Sequence, residues 1–371
     1  MAAAVSPAAP GPTIGGRARG RDNNFNLVRL CAAGLVLVSH SWPLSGTPGE
    51  PFEGFAGFSL GHLGVDVFFV VSGFLVTGSL LARDSLSSFV RARSLRIFPA
   101  LVASAFGTAL VIGSLVTTLP LGRYLTSWGT WRYALQNSTT WPWGVCWQLP
   151  GVYAGLPAGN AVNGALWSLP WELTLYAMLT VLGAMALRAR PLLTREGLRL
   201  VVLGLALAAT LGHGVNEAFN LSSRFEVVQG LRLVALFFTA GALTFARDRV
   251  PLSAPLFVAS GAVFLGSLAV KGAALALYPL SLAYAVVWLA LVPGGVLRLY
   301  NRLGDYSYGF YLWQFPIQQW IVLRRPGTTQ PELLLLSLPA ALALAAASWH
   351  LVEAPALALK DRARALARAN R

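Results

Sequence analysis

The sequence predicts an all-α protein, a polytopic transmembrane helical bundle, and two observations carry this prediction. Of the 371 residues, 56% are hydrophobic and only 11% are charged, and the mean hydropathy is +0.61. A soluble domain has about 25% charged residues, so this chain could not cover a water-exposed surface. The apolar residues also recur in stretches of about 20, the length that crosses a bilayer. Soluble enzymes, disordered chains and disulfide scaffolds are therefore excluded.

Ten apolar stretches are long enough to be membrane spans, and no internal repeat relates them to one another. The fifth stretch is short, and the seventh and eighth nearly touch, so counts of nine and eleven stay open. The predicted spans are Phe25–Trp42, Gly61–Ala82, Ile97–Leu119, Ala165–Leu187, Leu198–Gly212, Val228–Phe245, Leu252–Ala269, Ala273–Val292, Tyr306–Leu323 and Leu333–Leu351.

The segments outside the spans divide the chain into three parts. Residues 1–24 are rich in Ala, Pro and Gly and predict a disordered tail ahead of a membrane domain over residues 25–355. No cleavage site precedes the first span, which is expected to act as an uncleaved anchor. Residues 356–371 form a basic tail, which fits a positive-inside anchor or an amphipathic helix on anionic lipid.

The distribution of Lys and Arg predicts the orientation of the bundle. With ten spans both termini lie on one side, and that side collects 20 of the 28 Lys and Arg residues. Seven lie on the other side, and Arg29 lies within the first span. Because positive residues concentrate in cytoplasmic connections, both termini are predicted in the cytoplasm. Topology therefore explains the net charge of +14, and no nucleic-acid partner is expected.

The longest connection, residues 120–164, is predicted on the opposite, extracytoplasmic side. It is rich in tryptophan, with Trp128, Trp131, Trp141, Trp143 and Trp147. Such a cluster is typical of an aromatic belt at the membrane interface. It would equally serve as a platform that stacks against a sugar ring or an amphiphile.

Ionisable residues inside the apolar spans are the first site candidates, because a bilayer makes each of them costly. Arg29 and His40 share one face of the first span and lie about 16 Å apart along its axis. Asp66 and Glu172 begin spans that run inward, so both are predicted at the depth of His40. A carboxylate beside His40 would make the imidazole a stronger base for a hydroxyl proton. The alternative is a purely structural pairing of these groups between neighbouring helices.

Two arginines, Arg93 and Arg96, come just before the third predicted span. Their spacing of three residues places both guanidinium groups on one helix face, where they could bind phosphate oxygens in a bidentate manner. Ordinary positive-inside charge is the alternative. Glu353 ends the last span at the same level, and we expect it to pair with Arg29 or with this arginine pair.

Six motifs contain these residues and follow one another along the chain. They are R-x10-H at Arg29 and His40, GVDVFFVVSGFL at residues 64–75, R-x-x-R with a later proline at Arg93–Pro99, NGALWSLPWE at residues 163–172 with Tyr176, LGDYSYGFYLW at residues 303–313, and Glu353-Ala-Pro355. Together they resemble the acyltransferase 3 family of integral-membrane O-acyltransferases. One departure occurs in the ninth span, where the family usually has Trp-His-Phe-Pro and this chain has Gln314, which cannot titrate.

The resemblance implies transfer of an acyl group, usually acetyl from acetyl-CoA, to a hydroxyl of a carbohydrate or glycolipid acceptor in the bacterial inner membrane. Acyl-CoA is then a substrate, and neither a metal nor a bound cofactor is expected. The candidate residues are His40, Asp66 and Glu172 for catalysis, Arg29, Arg93 and Arg96 for acyl-CoA binding, and Tyr308, Tyr311 and Glu353 as further members of the site.

Two other interpretations stay open at this point. Ten spans with intramembrane charges also fit a transporter or flippase of a glycan or lipid-linked precursor. A catalytically silent scaffold is the third possibility, and Gln314 gives it some support. Within the enzyme interpretation, direct transfer and an acyl-histidine relay are both compatible with the sequence. The sequence does not indicate the acceptor, the leaflet or the oligomeric state.

Overall fold

The computed structural model describes residues 12–18, 20, 22–82, 85–140, 142, 144–186, 193–270 and 272–359. Within this part of the chain every regular element is helical, and a single bridge between Thr13 and Pro251 is the only β-type pairing. The predicted all-α transmembrane bundle is therefore confirmed.

Long helices occupy all ten predicted spans. They are α2 (Phe25–Leu44), α4 (Leu60–Leu81), α5 (Leu86–Phe106), α9 (Leu169–Ala186), α10 (Arg195–Phe219), α11 (Phe225–Ala246), α12 (Ala254–Val270), α13 (Tyr278–Leu291), α14 (Ser307–Arg324) and α15 (Gln330–Ser348). Short helices lie between them: α1 (Ile14–Arg17), α3 (Pro51–Ala56), α6 (Gly113–Val116), α7 (Leu121–Thr126) and α8 (Trp128–Asn137).

Eight helical stretches in the described residues are long and apolar enough to cross a membrane. The other two predicted spans are α12, which has 17 residues, and α14, which has 18. α14 is the less apolar of the two because it carries Gln314, Gln318 and Gln319, and all three side chains are fully buried. A helix can hold that many amides in a bundle only when protein surrounds it, so α14 belongs to the interior.

The centre of the bundle is built on α4 and α11, whose most apolar stretches are each 72% buried. Their backbones approach closely at Gly73, where a Cβ atom would lie 2.1 Å from the carbonyl oxygen of Phe237. Gly64 plays the same part against α2, where a Cβ would lie 2.4 Å from the oxygen of Ala32. Small residues allow such contacts between membrane helices, which explains two glycines of the GVDVFFVVSGFL motif.

The third span is longer than predicted. α5 begins at Leu86 rather than at Ile97, continues through a π-helical segment, Gly107–Ile112, and ends with α6. Arg93 and Arg96 therefore lie inside this helix, about two turns or more from its start. The prediction placed them ahead of the span because the first turns of α5 are polar. The prediction that they share one helix holds.

The Trp-rich connection, residues 120–164, folds back along the bundle. α8 packs against α5, and a small separate core includes Tyr124, Tyr133 and Tyr153. Thr139, just beyond α8, lines the same groove as Arg93, near the start of α5. The connection thus reaches far down the side of α5 instead of remaining at its end. Of the five tryptophans, Trp141 and Trp143 lie outside the described residues.

The predicted disordered tail, residues 1–24, is in part an ordered segment. Ile14 is completely buried, and its backbone N–H donates to the oxygen of Val250 at 3.0 Å. Asn24 also hydrogen-bonds to Pro293 at 2.7 Å. The prediction was wrong for this stretch because it rested on the average composition of the tail. That average does not show that a single apolar residue, Ile14, can hold the segment in place by being buried. Residues 1–11 and 360–371, with most of the basic C-terminal tail, lie outside the described residues.

Candidate active site

His40 lines a cavity of about 570 Å³ at the C-terminal end of α2. The first turn of α4 forms the opposite wall, and the connection before α3 closes one side. Beside His40, the cavity has polar and aromatic walls formed by Ser39, Trp42, Glu50, Glu53, Ser59, His62 and Trp167. The mixture of apolar rings and a few convergent polar groups is typical of a small-molecule binding site.

The His40 ring is held from behind by α14. The ring of Phe315 meets it edge-on, with the two ring centres 5.0 Å apart. The amide of Gln314 interacts with the imidazole from the same helix. His40 Nδ1 is buried without a hydrogen-bond partner among the described residues. Since His40 also lines the cavity, Nε2 is the ring nitrogen that is available to a ligand.

Asp66 lies next to Val65, which lines the same cavity as His40, but it does not pair with His40 as the sequence suggested. It is fully buried, lies 3.2 Å from Nε of Arg232 and accepts a hydrogen bond of 2.6 Å from Tyr278. The reason is helical rotation: Val65 lines the cavity, and the next residue points about 100° away. Asp66 therefore faces α11 and α13, where it joins three helices through buried polar contacts.

Glu172 also lies away from His40, deeper along the bundle. Tyr176 donates a hydrogen bond of 2.6 Å to its Oε1, and Ser72 donates one of 3.2 Å. Ser72 is ten residues beyond His62 on α4, which corresponds to about 15 Å along the axis. The prediction that Glu172 shares the level of His40 therefore differs from the structure, which places it with the arginines.

A second cavity, of about 340 Å³, contains the three predicted acyl-CoA contacts. Arg29, Arg93 and Arg96 line it together with Ser72, Glu172, Tyr176, Ser307 and Tyr308. We refer to it as the arginine cavity and to the first as the histidine cavity. These three arginines were predicted at the same level of the bundle, and all three line this cavity.

Carboxylates neutralise most of the positive charge in the arginine cavity. Arg96 contacts Asp305 at 2.6 Å and Glu353 at 3.0 Å, and Arg29 contacts Asp305 at 3.1 Å. Burial alone would raise the pKa of Asp305, but the guanidinium groups of Arg96 and Arg29 hold that pKa below its ordinary value. Asp305 is therefore ionised at neutral pH. The expected pairing of Glu353 with this group is confirmed.

Arg93 differs from the other two arginines of this cavity. Among the described residues it forms no ion pair, and its Nε is buried without a hydrogen-bond partner. The acidic group that acts on it electrostatically is Glu172, which is already hydrogen-bonded to Tyr176. Arg93 is thus a cation that the protein leaves available to an anionic ligand.

Sequence reasoning missed three polar members of the two cavities. Asp305 stands inside the LGDYSYGFYLW motif, so the motif itself was the signal for it. His62 comes two residues before the GVDVFFVVSGFL motif, and its Nδ1 lies 2.9 Å from Ser59 Oγ. Glu50 carries no sequence signal, because it lies in a connection. It accepts hydrogen bonds from Ser39 Oγ at 2.7 Å and from the Leu60 N–H at 2.6 Å.

The two cavities have no lining residue in common. Between them lie Phe68 on α4 and Tyr311 on α14, whose ring centres are 5.5 Å apart. Tyr311 is held by Ser168, with 2.7 Å between the two hydroxyl oxygens. The aromatic pair therefore separates the arginines from His40 in this conformation.

Comparison with known proteins agrees with this arrangement. Residues 22–350 match the acyltransferase domain that defines the acyltransferase 3 family. The chain belongs to this family. It is thus an integral membrane acyltransferase, and the transporter and scaffold interpretations give way to an enzyme.

Two relatives of this family member cover nearly its whole length. The O-acetyl transferase of Shigella phage Sf6 is 28% identical over an alignment of 348 positions that covers 90% of this chain and 95% of the phage protein. Nodulation protein 10 of Rhizobium leguminosarum bv. viciae is 30% identical over 379 residues, covering 92% of this chain and 95% of that protein. No solved structure matches the chain.

Proposed function

We propose that this chain is a membrane O-acetyltransferase that moves an acetyl group from acetyl-CoA to a hydroxyl of a carbohydrate or glycolipid. The observation that carries the proposal is His40, which presents one ring nitrogen to a cavity of about 570 Å³. The name of the phage relative, an O-acetyl transferase, supports this choice of acyl group and acceptor atom. The positive-inside charge pattern supports a location in the bacterial inner membrane.

The donor is proposed to bind with its phosphates in the arginine cavity. Arg93 provides the uncompensated positive charge, and Arg29 and Arg96 add charge that is partly neutralised by Asp305. The axial distance from Arg29 to His40 is about 16 Å. An extended pantetheine arm is comparable in length, so a thioester could reach His40 once Phe68 and Tyr311 move apart.

The acceptor is proposed to bind in the histidine cavity. Its volume lies in the range of about 300–1,000 Å³ that is usual for small-molecule sites. Trp42 and Trp167 offer ring faces for a sugar, while Glu50 and His62 offer polar contacts for hydroxyl groups. These two tryptophans take the stacking role that the sequence suggested for the 120–164 connection.

In the proposed reaction, Nε2 of His40 accepts the proton of the acceptor hydroxyl while its oxygen attacks the thioester carbonyl carbon. The new C–O bond forms, the C–S bond breaks, and the proton passes from the imidazolium to the CoA thiolate. General-base catalysis of this kind contributes about 10²–10⁴-fold to a rate. The reaction needs no group beyond the two substrates and the histidine.

The test compares acetyl transfer by the wild type and by His40→Ala in membranes with matched expression. Radiolabelled acetyl-CoA is supplied with cell-envelope carbohydrate, and label in the carbohydrate is counted. We expect a loss of about 10² or more in His40→Ala. His350→Ala is the control, because His350 is exposed and lines neither cavity. A wild-type rate in His40→Ala would refute the proposal.

A further inference from the structure

The side chain of Gln314 is buried in an unusual way. It is completely inaccessible to solvent, yet neither Nε2 nor Oε1 has a hydrogen-bond partner among the described residues. An unpaired buried amide is costly, and buried polar groups are nearly always paired. The two other glutamines of α14 are each paired through Nε2, since Gln318 donates to Leu37 and Gln319 donates to Ala161, whereas their Oε1 atoms have no partner among the described residues. Gln314 alone of the three has neither amide atom paired.

His40, against which the neighbouring Phe315 packs, also carries an unsatisfied polar atom. Its Nδ1 is also buried without a partner, and the Gln314 amide interacts with this ring. Two contacts just beyond Gln314 hold α14 against α2. Phe315 packs edge-on against His40, and Gln318, one turn later, donates a hydrogen bond of 3.1 Å to the oxygen of Leu37 on α2.

We propose that Gln314 is the positioning residue of His40, and that its Oε1 accepts the proton of His40 Nδ1. This assignment rests on the proposed function. A small rotation of the side-chain amide completes the hydrogen bond, since the amide oxygen and nitrogen can exchange places. The bond fixes the tautomer in which Nε2 is unprotonated and faces the cavity. Without it, the proton would spend part of the time on Nε2, where the ring cannot act as a base.

Gln314 then orients His40, the role for which the sequence suggested a carboxylate. Asp66 is engaged by Arg232, and Glu172 by Tyr176, so neither is available to His40. An amide orients the ring as a carboxylate would, but it brings no negative charge to stabilise the imidazolium. His40 is therefore a weaker base than one paired with a carboxylate, and no additional charge is buried beside it.

Two variants of Gln314 test the assignment through kinetics. Gln314→Met keeps the volume and removes the acceptor, and we expect kcat to fall about 10- to 100-fold. The KM for the acceptor should stay unchanged, because Gln314 does not line the histidine cavity. Gln314→Glu restores an acceptor and adds a negative charge, which stabilises the imidazolium. We expect it to retain activity and to move the acidic limb of the kcat–pH profile to higher pH.

Other titratable groups near His40 are His62 on α4 and Glu50 and Glu53 across the cavity. They are the same in every variant, so they cannot produce the shift. Gln319→Met is the matched control, because this buried amide on α14 bonds to Ala161 rather than to His40. It should leave both kcat and the pH profile unchanged.

A measurement on the unmodified protein keeps the proposal testable if a variant fails to fold. In the ¹⁵N NMR spectrum of histidine-labelled protein, His40 should carry its proton on Nδ1, with the signal assigned from its loss in His40→Ala. A proton on Nε2, or wild-type kcat in folded Gln314→Met, would overturn the positioning role alone. Activity in His40→Ala would instead overturn the proposed function.

Discussion

The two arginines of the R-x-x-R motif differ in what surrounds them. Arg96 is bound by two carboxylates, Asp305 and Glu353, whereas Arg93 has no ion pair among the described residues. A guanidinium group with its own carboxylates contributes to the structure, and an unpaired one is free to bind phosphate oxygens. We therefore propose that Arg93 mainly binds the ligand and that Arg96 mainly stabilises the fold.

Replacing each arginine by glutamine should separate these roles. Arg93→Gln should raise the KM for acetyl-CoA about tenfold or more, because a hydrogen bond to a charged group contributes roughly 1.5–3 kcal/mol. Arg96→Gln should lower the free energy of unfolding by about 3–5 kcal/mol, because it leaves the buried Glu353 without its cationic partner and Asp305 with Arg29 alone. Steady-state kinetics and thermal unfolding in detergent measure the two effects. A raised KM in Arg96→Gln with unchanged stability would contradict the assignment.

For single residues, the sequence predicted well which side chains share a face of the same helix. Arg29 and His40, and likewise Arg93 and Arg96, are related by spacing on one helix, so periodicity alone fixes which residues share a face. The partners of Asp66 and Glu172 depend on how one helix is rotated against another. No single-helix pattern contains that rotation, and so the sequence could not indicate that Arg232 and Tyr176 are the partners.

Two helices, α4 and α14, carry the barrier between the cavities. Phe68 lies between Val65 of the histidine cavity and Ser72 of the arginine cavity. Tyr311 lies between Ser307 of the arginine cavity and Phe315, which packs against His40, and the rings of Phe68 and Tyr311 are in contact. In the proposed mechanism, a thioester has to pass this point to reach His40. While the two rings are in contact, the pair would keep water in the histidine cavity away from a donor bound in the arginine cavity.

Phe68→Ala should weaken that separation. We expect a severalfold rise in hydrolysis of acetyl-CoA without acceptor, because water gains access to the thioester. Release of free CoA, followed with a thiol reagent, measures the rate. Phe98→Ala is the control, since this ring lines a groove between α5 and α9 and not the barrier. Unchanged hydrolysis in Phe68→Ala would show that the aromatic pair does not shield the donor.

The elements themselves were largely predictable, and the exceptions have physical causes. All ten predicted spans coincide with long helices. The start of α5 was missed because its first turns, Leu86–Arg96, are polar enough to resemble a connection. The course of the 120–164 connection was missed because hydropathy reports how apolar a segment is and not where it packs.

A buried ion pair joins helices at the centre of the bundle. Asp66 and Arg232 are 0% and 4% exposed, and Tyr278 completes a contact that joins α4, α11 and α13. The guanidinium group of Arg232 also lies over the ring of Phe58, 5.5 Å from its centre. Removing one member of such a pair leaves an uncompensated charge in the interior. Asp66 therefore acts on the stability of the whole molecule.

Asp66→Asn should lower the free energy of unfolding by about 3–5 kcal/mol. Tyr278→Phe should cost less, about 1–2 kcal/mol, because the ion pair remains and only one hydrogen bond to it is lost. Chemical unfolding in detergent compares the two. Acetyl transfer per folded molecule should be unchanged in both at a temperature where they are folded. If Asp66→Asn abolished acetyl transfer and left stability normal, Asp66 would have a catalytic role, as the sequence suggested.

The anchored segment around Ile14 affects how the protein should be handled in the laboratory. Pro12, Ile14 and Gly15 hydrogen-bond to the connection that joins α11 to α12. These residues form a brace between the N-terminal segment and that connection. A shortened gene that begins at Phe25 would delete this brace and expose to water the apolar surface that Ile14 covers. Affinity handles and fluorescent fusions should therefore be attached ahead of residue 12, with the brace left intact, so that purification does not itself loosen the enzyme.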